Sequence, residues 1–157
     1  MSDWQQVVPG GGAQSALRFF VDPYRPDRVY LLDTIAPHIM RSEDGGVSWH
    51  VDTSLETQLS YGHTIPLNRN ESIDGQDHLD VVLSDMQFHP LDPLTRFAVG
   101  FAGAFHTADG ANWVRLLDTA ALPGRPVNCY FDRISNPTEP ALYVAFDGRG
   151  IVKITDL

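Results

Sequence analysis

Two short stretches of this 157-residue chain carry the same chemistry in nearly the same order. The first is Ser42-Glu43-Asp44-Gly45-Gly46-Val47-Ser48-Trp49, and the second is Thr107-Ala108-Asp109-Gly110-Ala111-Asn112-Trp113. In each, a hydroxyl residue leads into Asp, Gly supplies backbone able to take positive φ, and a Trp opens the next strand. Asp side chains bond the backbone a few residues on and stiffen such a turn, so each stretch reads as a tight polar connection between two strands. In the second, Gly110 follows Asp109 directly and the turn is one residue shorter. The complete turn at Asp44 is therefore expected to be the stronger.

Strand patterns flank both turns in a recurring order. In the first copy, 16–21 is an apolar strand, 22–27 a turn with two prolines and 28–32 a second strand; 38–41 enters the polar Asp turn, and 49–51 leaves it. The order returns at 81–88, 89–94, 96–100, 104–106 and 113–116. A third copy opens at 127–131, turns through 135–140 and continues at 141–146 and 150–154, with no third Asp turn of this kind. Trp4-Gln5-Gln6-Val7-Val8 has the pattern of a strand that comes after such a turn. Trp4 to Trp49 is 45 residues and Trp49 to Trp113 is 64, a period of propeller-blade size with one insertion. The expected fold is all-β, with β-propeller blades of four antiparallel strands over about 13–53, 80–118 and 127–157, strand 4–8 completing the last blade, and an insertion at 54–79. Helix is nearly absent from this reading; only 119–122 could form a turn of one.

The first turn resembles the Asp-box of the sialidase-like repeat families, Ser-x-Asp-x-Gly-x-x-Trp, and Ser42, Asp44, Gly46 and Trp49 match every defined position. Thr107, Asp109, Gly110 and Trp113 give the shortened copy. The resemblance implies a propeller fold and a structural rather than catalytic role for the boxes. It does not settle a function, since such families include sialidases, xyloglucan-type hydrolases, sortilin-like receptors and photosystem assembly factors.

The insertion is polar and without period, and reads as an irregular surface loop of the kind that carries binding function on repeat scaffolds. Tyr61, His63, Arg69, Glu71, Asp74 and Asp77 are its candidate binding residues. The spacing of Glu71, Asp74, Asp77 and Asp80 fails the EF-hand template, so no metal is expected there. Nor do His63, His78, His89 and His106 have zinc-ligand spacing, and no cofactor is expected. For glycoside hydrolysis, paired carboxylates are needed. Asp22, Asp33, Asp85, Asp132 and Asp147 qualify by type alone, and the catalytic residues stay unknown.

With 11 basic and 20 acidic side chains, the net charge of −9 argues against a nucleic-acid partner. No run of 18 apolar residues suggests a membrane span. Cys129 is the only cysteine and reads as a small buried hydrophobe. The start has neither a basic n-region nor an apolar h-region, so no signal peptide is expected, and the compartment stays open. Two functions are compatible with these features: a non-catalytic propeller segment that binds protein or glycan, or part of a glycoside hydrolase whose catalytic residues lie mainly on other blades. Because three copies fall short of the four to eight blades of a closed propeller, a second copy or further blades of a parent protein are expected to complete the ring.

Overall fold

The computed structural model describes residues 18–34, 37–73, 75–117, 124–135 and 137–155. The N-terminal strand 4–8 and the expected turn of helix at 119–122 lie outside them. The chain divides into two compact units, with the division after Asp52.

The first unit holds one blade, with strands β1 (Arg18–Val21), β2 (Val29–Asp33), β3 (His38–Ser42) and β4 (His50–Val51) in sequence order. All neighbours are antiparallel, and Val29 stands opposite Ser42, so the first strand pair and the box are in register. Tyr30, Leu31, Leu32 and Ile39 are buried. The turn after β1 is built on Asp22, whose carboxylate accepts from the backbone N–H of Tyr24 and Arg25, at 2.9 and 3.3 Å.

In the second unit, α1 (Thr53–Leu59) and a hairpin of β5 (Asn68–Ile73) and β6 (Gln76–Val81) precede the second blade. That blade is β7 (Asp85–Phe88), β8 (Arg96–Gly100), β9 (Gly103–Thr107) and β10 (Val114–Leu117), again a meander. The third sheet has three strands, β11 (Pro126–Asp132), β12 (Ala141–Phe146) and β13 (Gly150–Ile154). Antiparallel four-stranded meanders of this order are propeller-type blades, and the all-β expectation holds.

The core of this unit lies between the second and third sheets. Phe97, Val99 and Ala104 meet Cys129, Phe131, Leu142, Val144 and Phe146 in one cluster. Phe97 and Phe131 pack edge to face at 5.3 Å, a favoured aromatic geometry. Asp85 crosses the same seam: it is buried, and its carboxylate accepts the N–H of Cys129 at 3.0 Å and that of Met86 at 2.8 Å.

Two sequence expectations are corrected. The segment 54–79 is not an irregular loop: it contains a helix and most of a two-stranded hairpin. Leu55 and Leu59, four residues apart, share one helix face and are fully buried, while Leu67 is buried beyond the helix. One apolar pair at that spacing is too short a pattern to register as a period. The expected strand 81–88 is also interrupted, since β6 ends at Val81 and β7 begins at Asp85. The intervening chain runs beside the end of β8, with Ser84 N–H donating to the Val99 carbonyl at 2.6 Å and Phe101 N–H to that of Val81 at 3.3 Å. Gly100 makes this approach possible, because a Cβ there would fall 1.8 Å from the Val82 carbonyl oxygen.

Leu59→Ala is expected to destabilise by about 2–5 kcal/mol, the usual cost of emptying a fully buried leucine site. Denaturant unfolding of the variant measures it. A change below about 0.5 kcal/mol would mean that the insertion is an appendage, as its polar composition suggests.

Candidate functional site

Both boxes are organised around a carboxylate held by its own turn. The Ser42 hydroxyl donates to Asp44 Oδ1 at 2.8 Å and accepts from Gly46 N–H at 2.8 Å. Asp44 also receives the Ser48 N–H at 2.9 Å and the Ser48 hydroxyl at 2.6 Å. Trp49 Nε1 donates to the Gly46 carbonyl at 3.0 Å, so the indole closes the turn. In the shorter box, Thr107 donates to Asp109 at 2.9 Å, and Asp109 accepts from Ala111 N–H, Asn112 N–H and the Asn112 amide at 2.9, 2.7 and 2.6 Å. Gly110 takes φ +74° and Trp113 is buried. The missing residue thus removes no bond from the carboxylate, because Asn112 supplies both a backbone and a side-chain donor. The carboxylate of the shorter turn is as fully bonded as that of the longer.

These donors set the acidity of both groups. The Ser48 hydroxyl, then the Ser48 N–H and Ser42, hold Asp44 down to about 2, while the N–H groups of Asn112 and Ala111 hold Asp109 well below the carboxylate range.

The turns between the first two strands of each blade use the same device. Asp132 Oδ1 accepts from Ile134 N–H and Ser135 N–H at 2.9 Å each, as Asp22 does in the first blade. In the second blade His89 Nδ1 accepts from Leu91 N–H at 3.2 Å, and Asp92 takes Leu94 N–H and the Thr95 hydroxyl. Three of the five carboxylates singled out for hydrolysis therefore sit in structural bonds: Asp22 and Asp132 in turns, Asp85 across the seam. Asp147 pairs with Arg125 at 2.7 Å. Burial raises the Cys129 thiol pKa, and the nearby Asp85 carboxylate raises it further, so the group stays a thiol.

A separate charged group surrounds the first box. Glu43 meets Arg28 at 2.9 Å, Arg25 at 3.0 Å and Arg41 at 3.1 Å; Arg41 also holds the buried Asp52 at 2.8 Å. Burial favours the neutral form of Glu43, but the Arg28 hydrogen bond and the three guanidinium charges outweigh it and lower its pKa.

In the second unit, β9 leads from the Phe101–Ala102 turn to the box at Asp109, so turn and box lie at opposite ends of the blade. The helix spans them: the Ser54 hydroxyl donates to the Ala111 carbonyl at 2.7 Å, and the Tyr61 hydroxyl to that of Ala102 at 2.8 Å. Helix α1 ends in a left-handed run, with Tyr61, Gly62 and His63 at φ 52°, 67° and 65°. That run turns Tyr61 onto the blade, where its ring meets Phe105 edge to face at 6.0 Å and the Arg115 guanidinium lies 4.9 Å from its centroid. Arg69 lies over Phe101 at 4.7 Å and pairs with Asp80 at 3.2 Å. Asp80 also binds Arg125, which reaches on to Asp147.

Of the candidate binding residues, Tyr61 and Arg69 thus come to one end of the second blade. His63 lies 3.9 Å from the buried Glu56. Asp74 lies outside the described residues, as do the side chains of Glu71 and Asp77. Phe101, Arg115 and Arg125 escape sequence reasoning, since nothing in the sequence marks a lone Arg or Phe that only tertiary folding brings to the insertion. Among the described residues, no group of three or more His, Cys, Asp or Glu could hold a metal ion, and no helix is long and apolar enough to cross a membrane.

The strand order and the carboxylate-centred turns define an all-β protein of propeller type. No family model matches the chain, and no curated protein matches it. Among solved structures it is similar to YCF48 from Cyanidioschyzon merolae, with 18% identity and a TM-score of 0.45, over 87% of this chain and 35% of that one. It is also similar to a structure titled YCF48 bound to D1 peptide, with 17% identity and a TM-score of 0.42, over 89% of this chain and 44% of that one. The chain therefore spans less than half the length of either.

The Asp44 shift gives a pH dependence. A carboxylate whose folded pKa is depressed adds stability above its ordinary value near 3.8 and loses it as pH falls through about 2. Thermal melts from about pH 5 to pH 2 should show Asp44→Asn losing less stability over that window than the unmodified protein. Parallel curves would mean that Asp44 is no more acidic folded than unfolded.

Proposed function

We propose that this chain is a non-catalytic propeller segment that binds a protein partner at the insertion end of its second blade. The observation that carries the reading is the pairing of Arg69 with Phe101 and of Arg115 with Tyr61 at that end. Arginine and tyrosine are the residues that supply most of the energy at protein interfaces, and cation–π stacking holds each guanidinium in a defined place before a partner arrives. The structural use of Asp22, Asp85 and Asp132 supports the same reading against a hydrolase. A glycan ligand of the kind bound by Asp-box families is the alternative occupant of this end.

Completion of the blades belongs to this proposal. Among the described residues β13 pairs only with β12 and presents an open edge, which sheets cover to avoid adventitious pairing. In this reading a further strand covers it, and a second copy of the chain or further blades of a parent protein complete the ring.

The test is affinity capture from the cells that make the protein, run beside turnover assays on chromogenic glycosides. A partner captured by the unmodified chain and lost with Arg69→Glu plus Arg115→Glu, at an unchanged melting temperature, supports the proposal. Turnover of any glycoside, or a partner retained by the double variant, overturns it.

A further inference from the structure

The seam inside the second unit shows which blade faces fit each other. By alternation and register, Phe97, Val99 and Ala104 share one face of the second blade. Cys129, Phe131, Leu142 and Val144 share the face of the third sheet that meets it. A forward face of one sheet is thus buried on the rear face of the next.

The turn acceptors put the three sheets in one frame. Asp22, His89 and Asp132 follow the first strands, so Phe19 stands where Cys129 does and Val21 where Phe131 does. Their strand partners Leu31 and Val29 match Val144 and Leu142. The rear face of the first blade is therefore apolar at the positions that the third sheet buries in its seam. Yet Phe19 is 67% exposed there and Val21 45%. On the third sheet, the forward positions are Tyr130, Tyr143, Ala145 and Ile151, in place of Gln87, Phe97, Val99 and Ala104 of the second blade. Phe97, Val99 and Ala104 are buried, whereas Tyr130 is 57% exposed and Ile151 69%.

A polar residue repeats the same fit. Asp85 ties forward face to rear face by accepting the Cys129 N–H. Asn128 occupies the Asp85 position of the third sheet and is exposed, and its amide oxygen is able to accept the same kind of bond. The residue in the Cys129 position of the first blade is Phe19.

The occupant follows from the faces that remain. The rear face of the second blade is covered, since Tyr61 lies against Phe105 and Arg115 there. On the forward face of the first blade Tyr30, Leu32 and Ile39 are buried. Among the described residues, the exposed apolar blade faces are one rear face, on the first blade, and one forward face, on the third sheet. A second copy of the chain carries the complement of each.

We infer that the forward face of the third sheet, with Tyr130, Tyr143 and Ile151, docks on the rear face of the first blade of a second copy, with Phe19, Val21 and Val29. Asn128 accepts the Phe19 N–H across this contact, as Asp85 accepts that of Cys129 in the seam. The contact joins two different patches and is heterologous. Two such contacts between two copies would join six blades, within the four to eight of a closed propeller. The inference rests on the completion of the ring proposed above, and it is separate from the partner-binding end at Tyr61 and Arg69.

The experiment is sedimentation of the full chain over a range of concentrations. The unmodified chain should dimerise, and Phe19→Asp or Ile151→Asp alone should each weaken the dimer at least tenfold. Mixed together, the two variants should associate again, because one copy keeps an intact forward face and the other an intact rear face. Thermal melts check that both variants fold, and Phe19→Ser and Ile151→Ser give a milder second pair. A monomer at every concentration would overturn the inference, as would a dimer that survives both substitutions. Variants that stay apart when mixed would point to a contact of like faces and overturn it too. Arg69→Glu plus Arg115→Glu should sediment like the unmodified chain, so loss of the partner site and loss of the dimer are read separately.

Discussion

The structure depends on one interaction repeated at several turns: a side-chain acceptor that captures the N–H groups of the residues just after it. Asp44 and Asp109 do this in the boxes, Asp22 and Asp132 in the turns after first strands, and His89 takes the same place in the second blade. A four-stranded meander has little local hydrogen bonding at its turns, and backbone groups there must find partners or stay in water. Each captured turn fixes where the next strand starts. Register is set in consequence, since a slip of one residue would move Leu31 or Ala98 from one face of its sheet to the other.

With register set, packing in the second unit is a matter of two sheets meeting. Phe97, Phe131 and the aliphatic residues around them form the seam, and Asp85 contributes a buried polar tie from β7 to the backbone of β11. The tie is a carboxyl group whose oxygens accept from backbone donors, which is how a buried polar group is tolerated. It also explains an oddity of the sequence, an acid within an apolar strand pattern, without any catalytic role.

Local patterns make much of this legible. The boxes, the proline-bearing turns and the strands after them are visible because each rests on residues close in sequence. Strands 141–146 and 150–154 are found where the pattern puts them. The insertion defeats such a reading for the opposite reason: Leu55 and Leu59 are one pair at helical spacing, and what makes them a helix is burial. The surface near Tyr61 is legible only by half. Tyr61 and Arg69 lie in the insertion and stand out there, whereas Phe101, Arg115 and Arg125 join them through folding that no local pattern records. The shorter box holds a detail that counting residues does not show: Asn112 gives its carboxylate both a backbone and a side-chain donor.

Gly100 has a consequence for how the chain can be altered. Its missing side chain lets the segment after the hairpin run against the end of β8, with the Val82 carbonyl where a methyl group would otherwise stand. That contact pins the point at which the chain re-enters the second blade, downstream of β5 and β6. Everything between Leu67 and Val81 is then tethered at a fixed exit, held at its base by the Val82 N–H bond to the Leu67 carbonyl. The hairpin is in effect an insertion port: foreign sequence grafted between its strands would leave the path of β7 unchanged, so a blade of this kind can carry a new peptide without being rebuilt.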